Sequence, residues 1–513
     1  MPARFLPILL LLSACATRSA APAFVAEMTR ADALVEEGCY VCLREALAIY
    51  ERHLTLKPAP IGAAERAFDA ALLVAVREKE LGIPPDDSLA KARRLVVPAR
   101  QAVLDASELI IGDTTGLDPD QRAALTGRHR PPVALDNAMR RALDTLPHTD
   151  LTAKYVGLTI DCEQQTLHES LDMPALRATY AGVPLMEFRL ATCGRPRGPD
   201  VGALRANNPR WTDTLYWEGR RELVASLGQA VDFPKASALF AQGRDAFPAS
   251  LMLMMAWSNV NLAAEEFAAA LRGFDDVLAR FPTHRDALNG KMQAESYLLK
   301  HQDAIATASR LLDLGTWHIG DANYWRAWNR YHLQQYDEAW TDVEAALRGL
   351  SNSRVYMLSG LIAYARKTLP VAVDRFDRAF QIDSTACDAV WMSGLVSIDL
   401  NDLQAAAPKF TRGMTCFTSS ASASRGDATR TEDAVTARGT PATPREQRLI
   451  ERSRRDAEHA EEKAAQSAYN AAGCYARIGN KNLALTHADV AIAHPKMKDK
   501  ATALKAAIEK LPN

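Results

Sequence analysis

Phe240-Ala-Gln-Gly243…Phe247-Pro248 is followed by Phe274-Asp-Asp-Val277…Phe281-Pro282, so the aromatics and the proline each return after 34 residues, as Ala236 returns at Ala270. A second pair of segments keeps the same offset: Gly360…Ala372…Phe376…Ala379 against Gly394…Ala406…Phe410…Gly413. Four positions held in register twice mark an internal repeat of that length. Around these segments the apolar residues recur at three and four, as in Ala33-Leu34…Leu43…Ala46-Leu47…Tyr50, which is the period of an amphipathic helix. No stretch from residue 25 onward sustains the alternation of a strand, so the chain is expected to be nearly all helix.

The period and the residue types at it resemble the tetratricopeptide repeat, a helix-turn-helix unit in which small residues let helices approach and a late Pro ends the second helix. The resemblance implies an all-α fold, a right-handed superhelical solenoid of such repeats closed by a C-terminal capping helix at Lys498 to Leu511. Tyr336-Asp-Glu-Ala339…Val343…Ala346-Leu347 and Tyr469…Gly473-Cys-Tyr475…Gly479-Asn480…Leu483-Ala484 are good units, and 284–315 fits with a shortened hairpin. Fidelity falls toward the N-terminus. The expected organisation is a signal peptide at 1–14, a linker at 15–28, divergent hairpins at 29–111, and an irregular insertion at 112–149. Further divergent hairpins with a loop follow at 150–210, then the main array at 211–416, a loop at 417–443 of Ser, Thr, Ala and Gly, and a last repeat with an extended helix at 444–513.

Composition sets outer limits. With 26 Gly and 26 Pro in 513 residues the chain is neither collagen-like nor a Gly/Pro-rich disordered protein, and 48% hydrophobic residues suffice for a large core. A net charge of −1 gives no overall pull toward nucleic acid or anionic lipid, and no nucleic-acid partner is expected. The N-terminus is more specific. Arg4 precedes an apolar run from Phe5 to Leu12, too short to span a bilayer, and Leu12-Ser13-Ala14-Cys15 closes it. That ending resembles the bacterial lipobox, which implies cleavage before Cys15 and its acylation. Ala16 in place of Asp implies, by the same analogy, an outer-membrane address facing the periplasm.

The chain has eight cysteines, and with Cys15 lipidated the other seven leave at least one unpaired. Cys387 opens a first helix and Cys416 lies just past the second, so the two ends of that hairpin are expected to meet as a disulfide. Cys39-Tyr-Val-Cys42 falls at a helix-helix turn that a local disulfide would pin; a redox motif of thioredoxin type would want a strand before it. Cys162 and Cys193 end helices of successive hairpins and form a third candidate pair. Cys474, among small residues, reads as a buried free thiol.

The sequence contains no GxSxG elbow, HExxH helix, Walker-type loop or GxGxxG turn, and its eleven His are scattered. No catalytic residue, metal or cofactor is expected. The dense chemical feature is aromatic: Trp317 to Trp340 holds four of the eight Trp. Tyr324, Trp328 and Tyr331 recur at four and three and share a helix face. In phase with the neighbouring repeats that face carries Met357, Leu361, Tyr364, Trp391 and Leu395, where tetratricopeptide proteins line their concave surface, while Trp325 and Ala327 turn toward the packing side. The same stripe also suits plain contacts between stacked helices. The expected function is a membrane-anchored scaffold that binds envelope proteins or peptide segments in a groove. The alternatives are a small-molecule or glycan binder beside a transport system, and an enzyme hidden within 112–210.

Overall fold

Many helix starts are written in the side chain just before them. Asp232 accepts from Lys235 N–H at 3.0 Å, Ser250 from Leu253 at 3.1 Å, Asn352 from Val355 at 3.1 Å, Asp402 from Ala405 at 3.0 Å and Asn480 from Leu483 at 3.2 Å. Each satisfies one of the free N–H groups that a helix leaves at its first turn. The computed structural model describes residues 22–57, 59, 62–111, 141, 143, 145–146, 150–163, 173–193, 201–224, 231–315, 318–439 and 441–512. Among these there is helix and turn and no strand. Two compact units divide the chain, Met1–Ala287 and Leu288–Asn513.

The first unit holds α1 (Pro22–Glu37), α2 (Tyr40–Leu54), α3 (Ala63–Glu80), α4 (Asp86–Leu95), α5 (Gln101–Ile111), α6 (Leu151–Glu163) and α7 (Met173–Thr179). It continues with α8 (Pro184–Thr192), α9 (Gly202–Asn207), α10 (Leu215–Glu222), α11 (Phe233–Ala246), α12 (Leu251–Ala263) and α13 (Phe267–Arg280). Its core contains Tyr50, Phe68, Phe188, Trp211 and Phe240, all fully buried. Helix α1 starts inside the stretch expected to be linker, because Met28, Ala31 and Leu34 continue the helical spacing into that core and the Phe24 ring meets His53 edge-on at 4.7 Å. Cys39–Cys42 pins the α1–α2 turn, and Cys162–Cys193 joins the end of α6 to the residue after α8.

From α14 (Arg285–Tyr297), which straddles the boundary, the second unit runs through α15 (His301–Asp313), α16 (Ile319–His332), α17 (Tyr336–Leu347), α18 (Ser353–Ala365) and α19 (Leu369–Ile382). Then come α20 (Cys387–Asp399), α21 (Leu403–Arg438), α22 (Pro444–Arg477), α23 (Lys481–Ile492) and the terminal α24 (Lys498–Glu509). The period is structural as well as sequential. Ala236, Ala270, Ala304, Ala339, Ala372 and Ala406 are all completely buried on second helices, and a Cβ added at Gly360 would lie 2.6 Å from the Phe376 ring. The backbone repeats too: Glu265, Leu299, Gln334, Lys367 and Asn401 each take a left-handed φ between 58° and 64° at the turn inside their hairpin. The fold is therefore an all-α array of tetratricopeptide-like hairpins.

The expected loop 417–443 is corrected by the structure. Helix α21 runs unbroken to Arg438, turns at Gly439, and pairs with α22 through a seam of buried Ala421, Ala428, Ala457 and Ala460. A capping box restarts the chain: Thr443 Oγ1 accepts from Glu446 N–H at 3.2 Å while Glu446 accepts from Thr443 N–H at 2.8 Å. Alanines spaced along both helices allow close approach without large apolar residues, so a segment poor in the latter still has a face to bury. Cys416 accordingly lies within α21 rather than past its end. Cys15, Trp317 and almost all of the expected insertion 112–149 lie outside the described residues. So do 194–200 of the expected loop, whose next residues form α9.

Candidate functional site

Within the second unit, first helices α14, α16 and α18 present one face each to a cleft of about 820 Å³. Helix α16 contributes Tyr324, Trp325, Trp328 and His332, while α18 contributes Arg354, Met357 and Leu361. The α14 end adds Tyr297 and Leu299, the latter 72% exposed. The remaining lining comes from elements that the alanine-seamed hairpin brings into place: Asp383 and Asp388 around the start of α20, Phe417, Ser420 and Ser424 on α21, and Asp456 and His459 on α22. The Cys387–Cys416 bridge, with Cα atoms 5.5 Å apart, ties the α20 start to α21 one residue before Phe417.

The aromatic side is an ordered stack. Tyr297 meets Trp325 at 5.3 Å and Tyr324 meets Trp325 at 5.4 Å, both edge to face. The Arg354 guanidinium lies over Tyr324 at 5.2 Å and over Trp325 at 5.8 Å. Burial pushes the Tyr324 phenol up despite Arg354, so it stays neutral at physiological pH. Trp328 packs edge-on against His332 at 4.7 Å, and His332 stacks flat on His301 at 5.2 Å. Burial and then the His301 charge hold His332 below its usual range, which favours the uncharged ring. Among the acids, hydrogen bonds from the Thr385 hydroxyl and backbone N–H hold Asp383 below its usual range. Asp383, Asp388 and Asp456 form no ion pair among the described residues.

Of the eight groove residues expected from sequence, Tyr324, Trp328, Met357 and Leu361 line this cleft together and the other four do not. Tyr331 is half-buried against Tyr336 at 5.9 Å. Tyr364 donates to Asp399 at 2.8 Å and packs beside Phe376. Trp391 and Leu395 occupy the same repeat position as Met357 and Leu361, yet α22 packs over them: Lys463 Nζ sits 3.7 Å above the Trp391 ring, and Leu395 packs in the cluster containing Phe410 and Ala471. Trp325, expected to face the packing side, is only 6% exposed but still reaches the cleft wall with an edge. Ala327 packs inside. Sequence reasoning missed Tyr297, Leu299, Arg354 and the acids. The turn residue Leu299 carries no motif, and Asp456 faces the cleft only because 417–438 is helical.

Six cysteines form the three expected bridges in the structure, and Cys474 is the buried free one among the described residues. Glu37, Cys39 and Cys42 bring their ligand atoms within 4.8 Å of one another. With both sulfurs joined as a disulfide, neither offers the thiolate a metal site of that type uses.

No family model and no curated protein matches the chain. Solved structures do. MamA from Desulfovibrio magneticus RS-1 is 22% identical over 32% of this chain and 93% of its own, with a TM-score of 0.30. YrrB, described as a TPR protein with an unusual peptide-binding site, is 18% identical over 46% of this chain and 98% of its own, with a TM-score of 0.33. The thermophilic TPR protein TTC0263 of Thermus thermophilus is 14% identical over 38% of this chain and 99% of its own, with a TM-score of 0.28.

Proposed function

We propose that the chain is a lipid-anchored, periplasm-facing scaffold that holds a segment of a partner protein in the cleft of its second unit. The observation that carries this reading is the open aromatic wall. Trp328, Met357 and Leu361 are only partly buried, Tyr297 and Leu299 are exposed, and all converge on one concavity. Apolar surface left open in a concave site marks a place for another molecule. Partly buried aromatics are the groups that typically anchor a protein partner. The anchor part rests on Arg4, the apolar run to Leu12 and the small residues before Cys15, with the outer membrane favoured by Ala16. Three disulfides suit an exported chain. No helix among the described residues is long and apolar enough to cross a membrane, so a lipid on Cys15 supplies the attachment this reading needs. The role is binding rather than catalysis.

A photo-reactive amino acid placed at Met357 tests the reading in living cells, with the same group at exposed Val371, outside the cleft, as control. The expected result is a discrete adduct with an envelope protein that depends on position 357 and disappears with Trp328→Ala. Adducts equal at both positions, or a copurifying small molecule in place of a protein, would overturn it.

A further inference from the structure

The cleft joins two kinds of surface, and each accepts a different part of one side-chain pattern. Its aromatic wall already carries a guanidinium, since Arg354 lies on the faces of Tyr324 and Trp325 at 5.2 and 5.8 Å. That wall therefore suits planar cations as well as apolar groups. Its remaining lining carries three carboxylates, Asp383, Asp388 and Asp456, against Arg354 as the one Lys or Arg among the described lining residues. None of the three forms an ion pair among the described residues, although this chain pairs many of its surface acids, as at Arg366–Asp337 and Lys409–Asp377. Asp388 and Asp456 are exposed and meet the same volume from different elements. An acidic, partly desolvated concavity attracts and orients positive groups.

Building on the scaffold reading, we infer that the cleft takes a basic-apolar peptide segment. An Arg or Lys side chain of the partner faces Asp388 and Asp456, and a bulky apolar neighbour within about one turn lies against Trp328, Met357 and Leu361. Charge complementarity sets the class, because a cationic side chain gains a Coulombic attraction to the carboxylates that a neutral glycan lacks and that an acidic peptide meets as repulsion. The Cys387–Cys416 bridge keeps the carboxylate-bearing elements in place, since Cys387 itself lines the cleft beside Asp388.

The test is selection from a random 12-residue peptide library displayed on phage, panned against the intact chain at low salt, followed by fluorescence anisotropy of the selected peptides. The expected peptides place Arg or Lys within three or four residues of Leu, Phe, Trp or Tyr. Their affinity falls roughly tenfold or more with Asp388→Asn plus Asp456→Asn at unchanged melting temperature. Replacing the peptide's Arg with citrulline costs a similar factor. Asp388→Lys plus Asp456→Lys then selects acidic peptides instead. Peptides that need Trp328 but carry no basic residue, and are indifferent to the double Asn variant, would sink the charge assignment and leave the scaffold standing. If no selected peptide loses affinity with Trp328→Ala or with the milder Met357→Ala, both ideas fall together.

Discussion

Arg77 is wholly buried on α3, with its guanidinium 4.0 Å from the Phe188 ring, and it donates to Asp213 and Glu80. Asp213 also accepts the Tyr40 N–H at 2.9 Å, at the first residue of α2. Burial pushes Glu80 up, but Arg77 and Arg189 outweigh it and hold the carboxylate below its usual range. One charged pair thus fastens helices far apart in sequence. Removing Asp213 leaves the buried Arg77 with Glu80 as its remaining carboxylate and takes the acceptor from Tyr40 N–H, so Asp213→Ala lowers the unfolding free energy by about 3 kcal/mol, measured by urea denaturation. The apolar pair Arg77→Met with Asp213→Leu costs much less. A second cluster has the opposite sign. Arg100 is shared by Asp69 and Asp150, and burial raises Asp69 to about 7 against the pull of Arg100. An unfolded Asp titrates at about 3.9, so the folded chain binds the extra proton between roughly pH 4 and 7. This group therefore favours the fold at low pH, and its contribution is lost as pH rises through that window. Stability measured across those pH values loses that component in Asp69→Asn; an unchanged slope would show that Asp69 does not titrate there. None of these buried ions was legible in the sequence, because nothing local distinguishes Arg77 or Asp69 from a surface charge.

The α21–α22 hairpin shows how much a helix can hide from a reading of large apolar residues. Residues 418–438 offer Ser, Thr, Ala and Gly where a core is usually marked by Leu or Phe, yet Ala421 and Ala428 on α21 and Ala457 and Ala460 on α22 are buried in this hairpin. Inserting extra methylenes into such a seam costs about 1–3 kcal/mol. Ala457→Leu should therefore splay the hairpin, seen as faster amide exchange over 421–460, and should weaken peptide binding by shifting Asp456 and His459. Unchanged exchange would mean the two helices are not packed through that face. The repeat positions were legible where their chemistry is distinctive, as in the buried alanines and in Phe376 over Gly360. They were not legible at the turns, where Glu265, Leu299, Gln334, Lys367 and Asn401 share one backbone conformation but no residue type. A left-handed φ costs an L residue about 1–2 kcal/mol, part of which glycine returns through its freer unfolded chain. Gln334→Gly should hence raise the melting temperature of the second unit slightly. The groove was half legible for a related reason. Period placed Tyr324, Trp328, Met357 and Leu361 together, whereas the extension of α22 that covers Trp391 lies about 70 residues further along the chain.

The three disulfides and the lipid proposed on Cys15 point to one compartment. Cys162–Cys193 and Cys387–Cys416 close loops of 31 and 29 residues, each worth roughly 3–4 kcal/mol in the chain-entropy account, while the three-residue Cys39–Cys42 loop is worth less. Such bridges persist where thiols are kept oxidised. A lipidated Cys15 also requires export, so the two expectations stand or fall on the same journey. In the intact host, Cys15→Ala is expected to move the chain from the membrane fraction to the soluble periplasmic fraction with all three disulfides still formed, read by fractionation and non-reducing peptide mapping. Expression confined to a reducing cytoplasm is expected to leave all six cysteines free and to lower the melting temperature. The two losses should separate cleanly: the first changes where the chain is found without changing its stability, and the second changes stability through loops that Cys15 does not enter. A Cys15→Ala chain that still sediments with membranes would place the anchor elsewhere. Six free thiols in a correctly exported chain would remove the structural role assigned to the bridges and, with it, the fixed position of the carboxylates around the cleft.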